Sequence, residues 1–246
     1  VSAQVVVMFV MMVGVFRSKK EENVLKGIRL FKPFSKEELG NICKIGGPTA
    51  IQGMVYCMIS MVLTRMVAAF GAEAIATQRV GGQIESVSWN TADGFAAALN
   101  AFVGQNYGAK KMDRVQKGYR ISFWTVAIWG ALIMLAFIIF PGPIAGVFFH
   151  EEKAMEIAIS YLIIIGFSEA FMCVELMTIG ALSGLGKTKL CSVISITATS
   201  MRIPLAMVLS RTSLGLDGIW WALTLTSVAK GIIFYLTFRY QMREKC

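Results

Sequence analysis

The sequence predicts an all-α fold, a polytopic bundle of membrane-spanning helices, and three observations predict it. Of its 246 residues, 56% are hydrophobic, and a mean hydropathy of +0.63 exceeds what a water-soluble domain of this size needs. The apolar residues fall in runs long enough to cross hydrocarbon, which takes about 20 residues at about 1.5 Å rise each. Lys and Arg, finally, gather in alternate loops, as they do when successive loops face opposite sides of a membrane.

The elements follow in order. Residues 1–16 are apolar without a basic leader or a cleavage site, so they read as the end of a truncated transmembrane helix and not as a signal peptide. Residues 17–44 form a polar connector of mixed charge holding Pro33; its Ser35-Lys36-Glu37-Glu38 reads as the capped start of an amphipathic helix on the cytoplasmic face. A six-helix lobe occupies 45–240, with full spans at 45–70, 74–107, 121–140, 154–183, 190–209 and 216–238. Residues 241–246 are left as a tail. No low-complexity tract and no second soluble domain interrupts this order.

The net charge of +9 raises the question of nucleic acid, and the distribution of charge answers it. Lys36 and Lys44 precede the first full span, Lys110, Lys111, Arg114, Lys117 and Arg120 follow the second, Lys187 and Lys189 the fourth, and Arg239 and Arg243 the sixth. The loops between hold almost none. The positive-inside rule therefore places both ends of the six-span unit, and the tail, in the cytoplasm of a multi-pass cell-membrane protein. No basic stripe interleaves with stacking aromatics, so no nucleic-acid partner is expected.

Cys43, Cys57, Cys173, Cys191 and Cys246 lack paired spacing, which supports neither a disulfide framework nor a zinc site. His150 sits beside Glu151 and Glu152 in a loop after Pro141-Gly142-Pro143, where a solvated cluster is the expectation. The string Gly184-Leu185-Gly186-Lys187-Thr188 approaches a P-loop. Ala181 stands where that motif needs its first glycine, however, and a membrane helix precedes it in place of a strand. No enzyme activity and no metal are expected.

Embedded acids mark candidate functional positions. A carboxylate in hydrocarbon costs about 2.5 to 3.5 kcal/mol on insertion scales, so such residues face a cavity, a partner or a transported ion. Glu85 and Asp93 lie eight residues apart in the second span, near one helix face, and Glu169 and Glu175 lie six apart in the fourth. These four are the coupling candidates, with Gln83, Asn90 and Asn100 as neutral oxygen donors. Two readings stay open: the acids exchange a proton or ligate Na⁺, or they pair with Arg79, Arg202 or Lys230 and lock the bundle. Gln52, Tyr56, Trp89, Asn90, Phe171 and Met172 are candidates to line a substrate cavity. The stripe Met54, Met58, Met61 and Met66 is expected to pack. Gly81, Gly82 and Gly94 read as packing positions first and as hinges second, and Gly104 and Gly108 flank the exit of the second span as residues that permit positive φ.

Several segments together resemble the C-terminal half of a multidrug and toxic compound extrusion (MATE) transporter. They are Ile45-Gly46-Gly47-Pro48, Ala76-Thr77-Gln78-Arg79-Val80, Gly94-Phe95-Ala96-Ala97-Ala98, Val103-Gly104-Gln105-Asn106-Tyr107-Gly108-Ala109, Gly180-Ala181-Leu182-Ser183-Gly184-Leu185-Gly186-Lys187-Thr188 and Arg202-Ile203-Pro204. The resemblance implies two six-helix lobes, of which this chain holds the second and lacks the N-terminal one. It also implies export of cationic or amphiphilic small molecules in exchange for H⁺ or Na⁺, with no other cofactor. The family's second-lobe cation site uses a Glu on the first helix of this half and an acid on the fourth; those positions align with Tyr56 and Met172, and Glu169 and Glu175 flank the latter. A lipid-linked oligosaccharide flippase, which shares the architecture but lines its cavity with cations, is the alternative, and a non-transporting fragment is a third.

Overall fold

The computed structural model describes residues 2–17 and 36–243. Most of the connector and the end of the tail lie outside those residues. The regular structure is helical throughout: α1 (Ser2–Arg17), α2 (Lys36–Ala68), α3 (Ala72–Gly108), α4 (Met112–Ile139), α5 (Pro141–Phe148), α6 (Glu152–Gly184), α7 (Thr188–Ser200), α8 (Arg202–Leu209) and α9 (Leu216–Arg243). Two compact units divide the chain, Val1–Cys43 and Lys44–Cys246. In the first, α1 is a 16-residue apolar helix with Val5, Phe9 and Val10 exposed.

The second unit is organised by α6, which touches α3, α4, α5, α7 and α9. Being surrounded, α6 buries side chains on all faces, as expected of a helix apolar all round. One apolar cluster joins Val103, Val126, Met177, Leu182 and Phe234; a second joins Phe137, Phe149, Leu162 and Trp220. A third, of Ile59, Leu63, Val67, Ala206 and Ile219, ties α2 to α8 and α9.

Small residues permit the α3–α6 contact. A Cβ on Gly184 would lie 2.6 Å from the Asn100 carbonyl oxygen, and one on Gly180 would strike the Ala96 backbone. The four-residue spacing of these glycines puts both on one face and lets two helix backbones approach closely. Gly81 likewise leaves room for the Tyr161 ring, whereas Gly82 and Gly94 face open space.

Helix ends reach beyond the apolar runs. α4 starts at Met112, nine residues before the apolar run beginning at 121, because its first turns are charged yet helical. The loop after residue 140 is itself largely the short helix α5, begun by Pro141, where a missing N–H costs nothing. The fifth span is broken between α7 and α8 at Met201; Pro204 has no N–H for the Ser200 carbonyl, and its ring crowds that turn.

The exit turn of α3 departs from the glycine expectation. Gly104 and Gly108 stay helical, and the positive φ of 58° falls on Lys110. The Lys111 N–H then donates to the Asn106 carbonyl at 2.9 Å, closing a Schellman-type end. The end of α6 is built the same way, with Gly186 at φ 74° and the Lys187 N–H on the Leu182 carbonyl at 3.0 Å.

Among the described residues, five segments are long and apolar enough to cross a membrane: Gly46–Ala68, Met112–Ile139, Glu152–Gly184, Thr188–Leu209 and Leu216–Arg243. α3, counted above as an apolar span, has the length at 37 residues but not the apolarity. Its acids, Arg79 and amides lower its hydropathy.

Candidate functional site

A cavity of about 580 Å³ is lined by α2, α3, α6, α7, α8 and α9. On α2, Gln52, Tyr56, Ile59 and Leu63 recur at three- and four-residue steps and so share one face turned to the cavity. That leaves Met54, Met58 and Met61 exposed on other faces. Three of the four methionines expected to pack therefore do not, and only Met66 joins the cluster with α8 and α9.

Glu85 on α3 and Glu175 on α6 line this cavity, together with Gln52, Tyr56, Trp89 and Met172. Asp93, Asn90 and Phe171 do not, and neither do Gln83 and Asn100. Eight residues at about 100° each leave Asp93 some 80° round the helix from Glu85, which suffices to expose it. Phe171 turns aside because its backbone packs on Gly231, whose Cβ would stand 2.7 Å from the Phe171 carbonyl oxygen.

Each remaining acid meets a different environment. Glu85 accepts a hydrogen bond from the Tyr161 hydroxyl of α6, and its cationic neighbour is Arg202. Glu175 accepts from the Lys230 ammonium of α9 at 2.8 Å, both groups being buried. Glu169, one turn before Met172, is 0% exposed, and neither carboxylate oxygen makes a hydrogen bond of normal geometry. Glu85 and the Ser88 hydroxyl are its polar neighbours, and that hydroxyl is engaged with the Cys173 sulfur at 3.2 Å.

The acids differ in the partner that each meets. Glu175 has the lysine that the lock reading names. Glu85 has a phenol instead, and Arg202 turns to hydroxyls: its Nε donates to Thr226 at 3.0 Å and its Nη2 to Ser227 at 2.9 Å. The α7–α8 break sets this guanidinium at the cavity wall. Lining cations are Arg79, Arg202 and Lys230, against the carboxylates of Glu85 and Glu175.

Tyr161 is the site residue that sequence reasoning overlooked. It lies between Glu85, Glu169 and Tyr56, and its ring meets Trp220 edge-on at 5.0 Å. A lone phenol within an isoleucine-rich run, two turns before Glu169, was the available signal. The Tyr56 and Met172 positions both face the cavity while carrying no charge.

Outside the membrane-crossing segments, Glu73 begins α3 and meets Lys153 at 3.4 Å. Its carboxyl is held below the usual range, first by its own backbone N–H at the helix start and then by Lys153.

Comparison with known proteins places these features in a family context. Residues 48–208 match the MatE family model. A probable multidrug resistance protein NorM of Thermotoga maritima is 29% identical over 235 residues, covering 92% of this chain and 49% of that protein. The multidrug export protein MepA of Staphylococcus aureus is 23% identical, covering 90% of this chain and 49% of its own length. The chain thus spans about half the length of the curated relatives it matches. Among solved structures, a MATE transporter in the straight conformation superposes with a TM-score of 0.84 at 19% identity, over 98% of this chain and 54% of the other. The Vibrio cholerae MATE transporter VcmN in the bent form gives 0.78 at 20% identity, over 90% and 50%. At these identities the superpositions establish the fold.

Proposed function

The chain belongs to the MatE family, and on that premise we propose that it forms the second lobe of a cation-coupled exporter of amphiphilic or cationic small molecules. Multi-pass membrane character follows from the family and the apolar helices. The relatives' names support drug export, and their doubled length supports an N-terminal lobe as the partner of this one. The basic loops support a cytoplasmic placement of both lobe ends.

One observation carries the coupling reading: Glu85 faces the cavity held by a neutral phenol, with a second carboxylate, Glu169, buried behind it. Glu169 makes no ion pair among the described residues; a buried anion so placed is costly, and a proton or Na⁺ shared with Glu85 relieves that cost. Binding of either ion to the Glu85–Tyr161–Glu169 group then favours whichever lobe arrangement shields it. Its release into the cavity favours the arrangement that takes up a cationic substrate. An ion that binds two states with different affinity shifts their populations by that difference and no more.

In proteoliposomes holding the complete protein, an inward-directed gradient of H⁺ or of Na⁺ is expected to drive efflux of a fluorescent organic cation. If neither gradient moves it, antiport is wrong; efflux of an anionic lipid-linked sugar in its place would favour the flippase reading.

A further inference from the structure

We propose that a cleft between the start of α4 and the end of α9 binds the headgroup of an anionic phospholipid. The cleft, of about 680 Å³, is separate from the substrate cavity and is walled by these two helices. Lys117 and Arg120 stand on the α4 wall, Arg239 and Arg243 on the α9 wall, and all four are exposed. Asp113 is the cleft's acidic residue. Among the described residues the ion pairs are Lys153–Glu73 and Lys230–Glu175, so none of the four cations is paired with a carboxylate of a described residue. Arg239 lies over the Tyr235 ring at 5.9 Å.

The next turn of α4 toward the membrane centre changes chemistry. Phe123 lines the cleft, and Trp124 beside it is 61% exposed. Four cations at the rim over an exposed indole match a phosphodiester with acyl chains below it. Basic pockets between membrane helices and interfacial tryptophans are the two recognised devices for holding such lipids. Charge complementarity also selects the occupant: a zwitterionic headgroup would bring its own cation beside four others, and a free phosphate would leave Trp124 unused.

The test uses the complete protein purified in a neutral detergent and then exposed to mixed vesicles of phosphatidylglycerol and phosphatidylcholine. Retained lipid is counted by native mass spectrometry. Phosphatidylglycerol should be kept in preference, with retention falling as salt rises. Lys117→Gln and Arg239→Gln should each weaken it about fivefold, the equivalent of about 1 kcal/mol per cation near a charged lipid surface. Arg211→Gln, in the loop before α9, should change nothing, and Arg239→Lys should retain most of the preference. Equal retention of the two lipids by the wild-type protein would overturn the proposal even if a variant failed to fold. So would unchanged retention in the Gln variants, the result expected if another part of the protein covers the cleft. If inorganic phosphate at millimolar concentration displaced the lipid completely, the site would be a phosphate site and the lipid assignment would fall.

Discussion

Tyr161 of α6 donates a hydrogen bond to the Glu85 carboxylate of α3 across the wall of the cavity, and Gly81, one turn before Glu85 on α3, makes room for its ring. The phenol thus reaches the acid only because α3 lacks a side chain at that step. Gly81→Ala is expected to push the ring away and to impair transport as Tyr161→Phe should, while Gly94→Ala, facing open space and outside the cavity lining, leaves transport intact. Dye efflux by the three variants distinguishes a positioning role for Gly81 from general helix softness.

The buried Glu175–Lys230 pair predicts a stability asymmetry. Removing one partner strands a charge, so Lys230→Met should destabilise the protein by about 3 to 5 kcal/mol. The double variant Glu175→Gln with Lys230→Met should recover most of that loss. Thermal midpoints in detergent for both read this directly, and equal losses in single and double variants would show that the pair is not the unit.

Backbone contact between α3 and α6 gives a second contrast. Gly184→Val forces a side chain onto the Asn100 carbonyl and should cost about 1 to 3 kcal/mol. Gly94→Ala meets nothing and should gain up to about 1 kcal/mol from helix propensity.

Much of the fold was legible in the sequence, since hydropathy runs locate α2, α4, α6 and α9 in order, whereas α3 has the length of a span without its apolarity. Boundaries were less so: the charged turns of α4 after Met112 and the polar start of α2 at Lys36 are helical without being apolar. The α5 helix read as a loop because Pro141 and Pro143 are turn formers as well as helix starters. In the site, an acid within an apolar run is visible as chemistry, but the face it presents is not. Glu85 and Asp93 differ by less than a quarter turn, and only the packing of α6 against α3 separates them. Tyr161 was hidden because one aromatic among isoleucines is ordinarily core.

The two Schellman-type turns predict opposite responses to glycine exchange. Lys110→Gly relieves a left-handed backbone and should raise the thermal midpoint, by about 0.5 to 1 kcal/mol net of lost chain restriction. Gly186→Ala imposes the same strain and should lower it by about 1 to 2 kcal/mol.

Glu73 supplies a pH dependence outside the membrane. Its folded carboxyl is more acidic than its unfolded one. Its contribution to stability is therefore present above the ordinary carboxylate range and lost as pH falls through the depressed folded value. The exposed Lys153 partner keeps the contribution small and salt-sensitive. Glu73→Gln should lower the thermal midpoint slightly at neutral pH, leave it unchanged below the depressed folded value, and so flatten the acid side of the profile.

The proposal that Glu85 carries the coupling ion is tested by Glu85→Gln in the complete protein, reconstituted in vesicles. Gradient-driven accumulation of an organic cation should fall at least about tenfold, the equivalent of about 1.4 kcal/mol, while exchange of labelled for unlabelled substrate at equal ion concentrations persists. Undiminished gradient-driven accumulation by that variant would show that the coupling ion binds elsewhere.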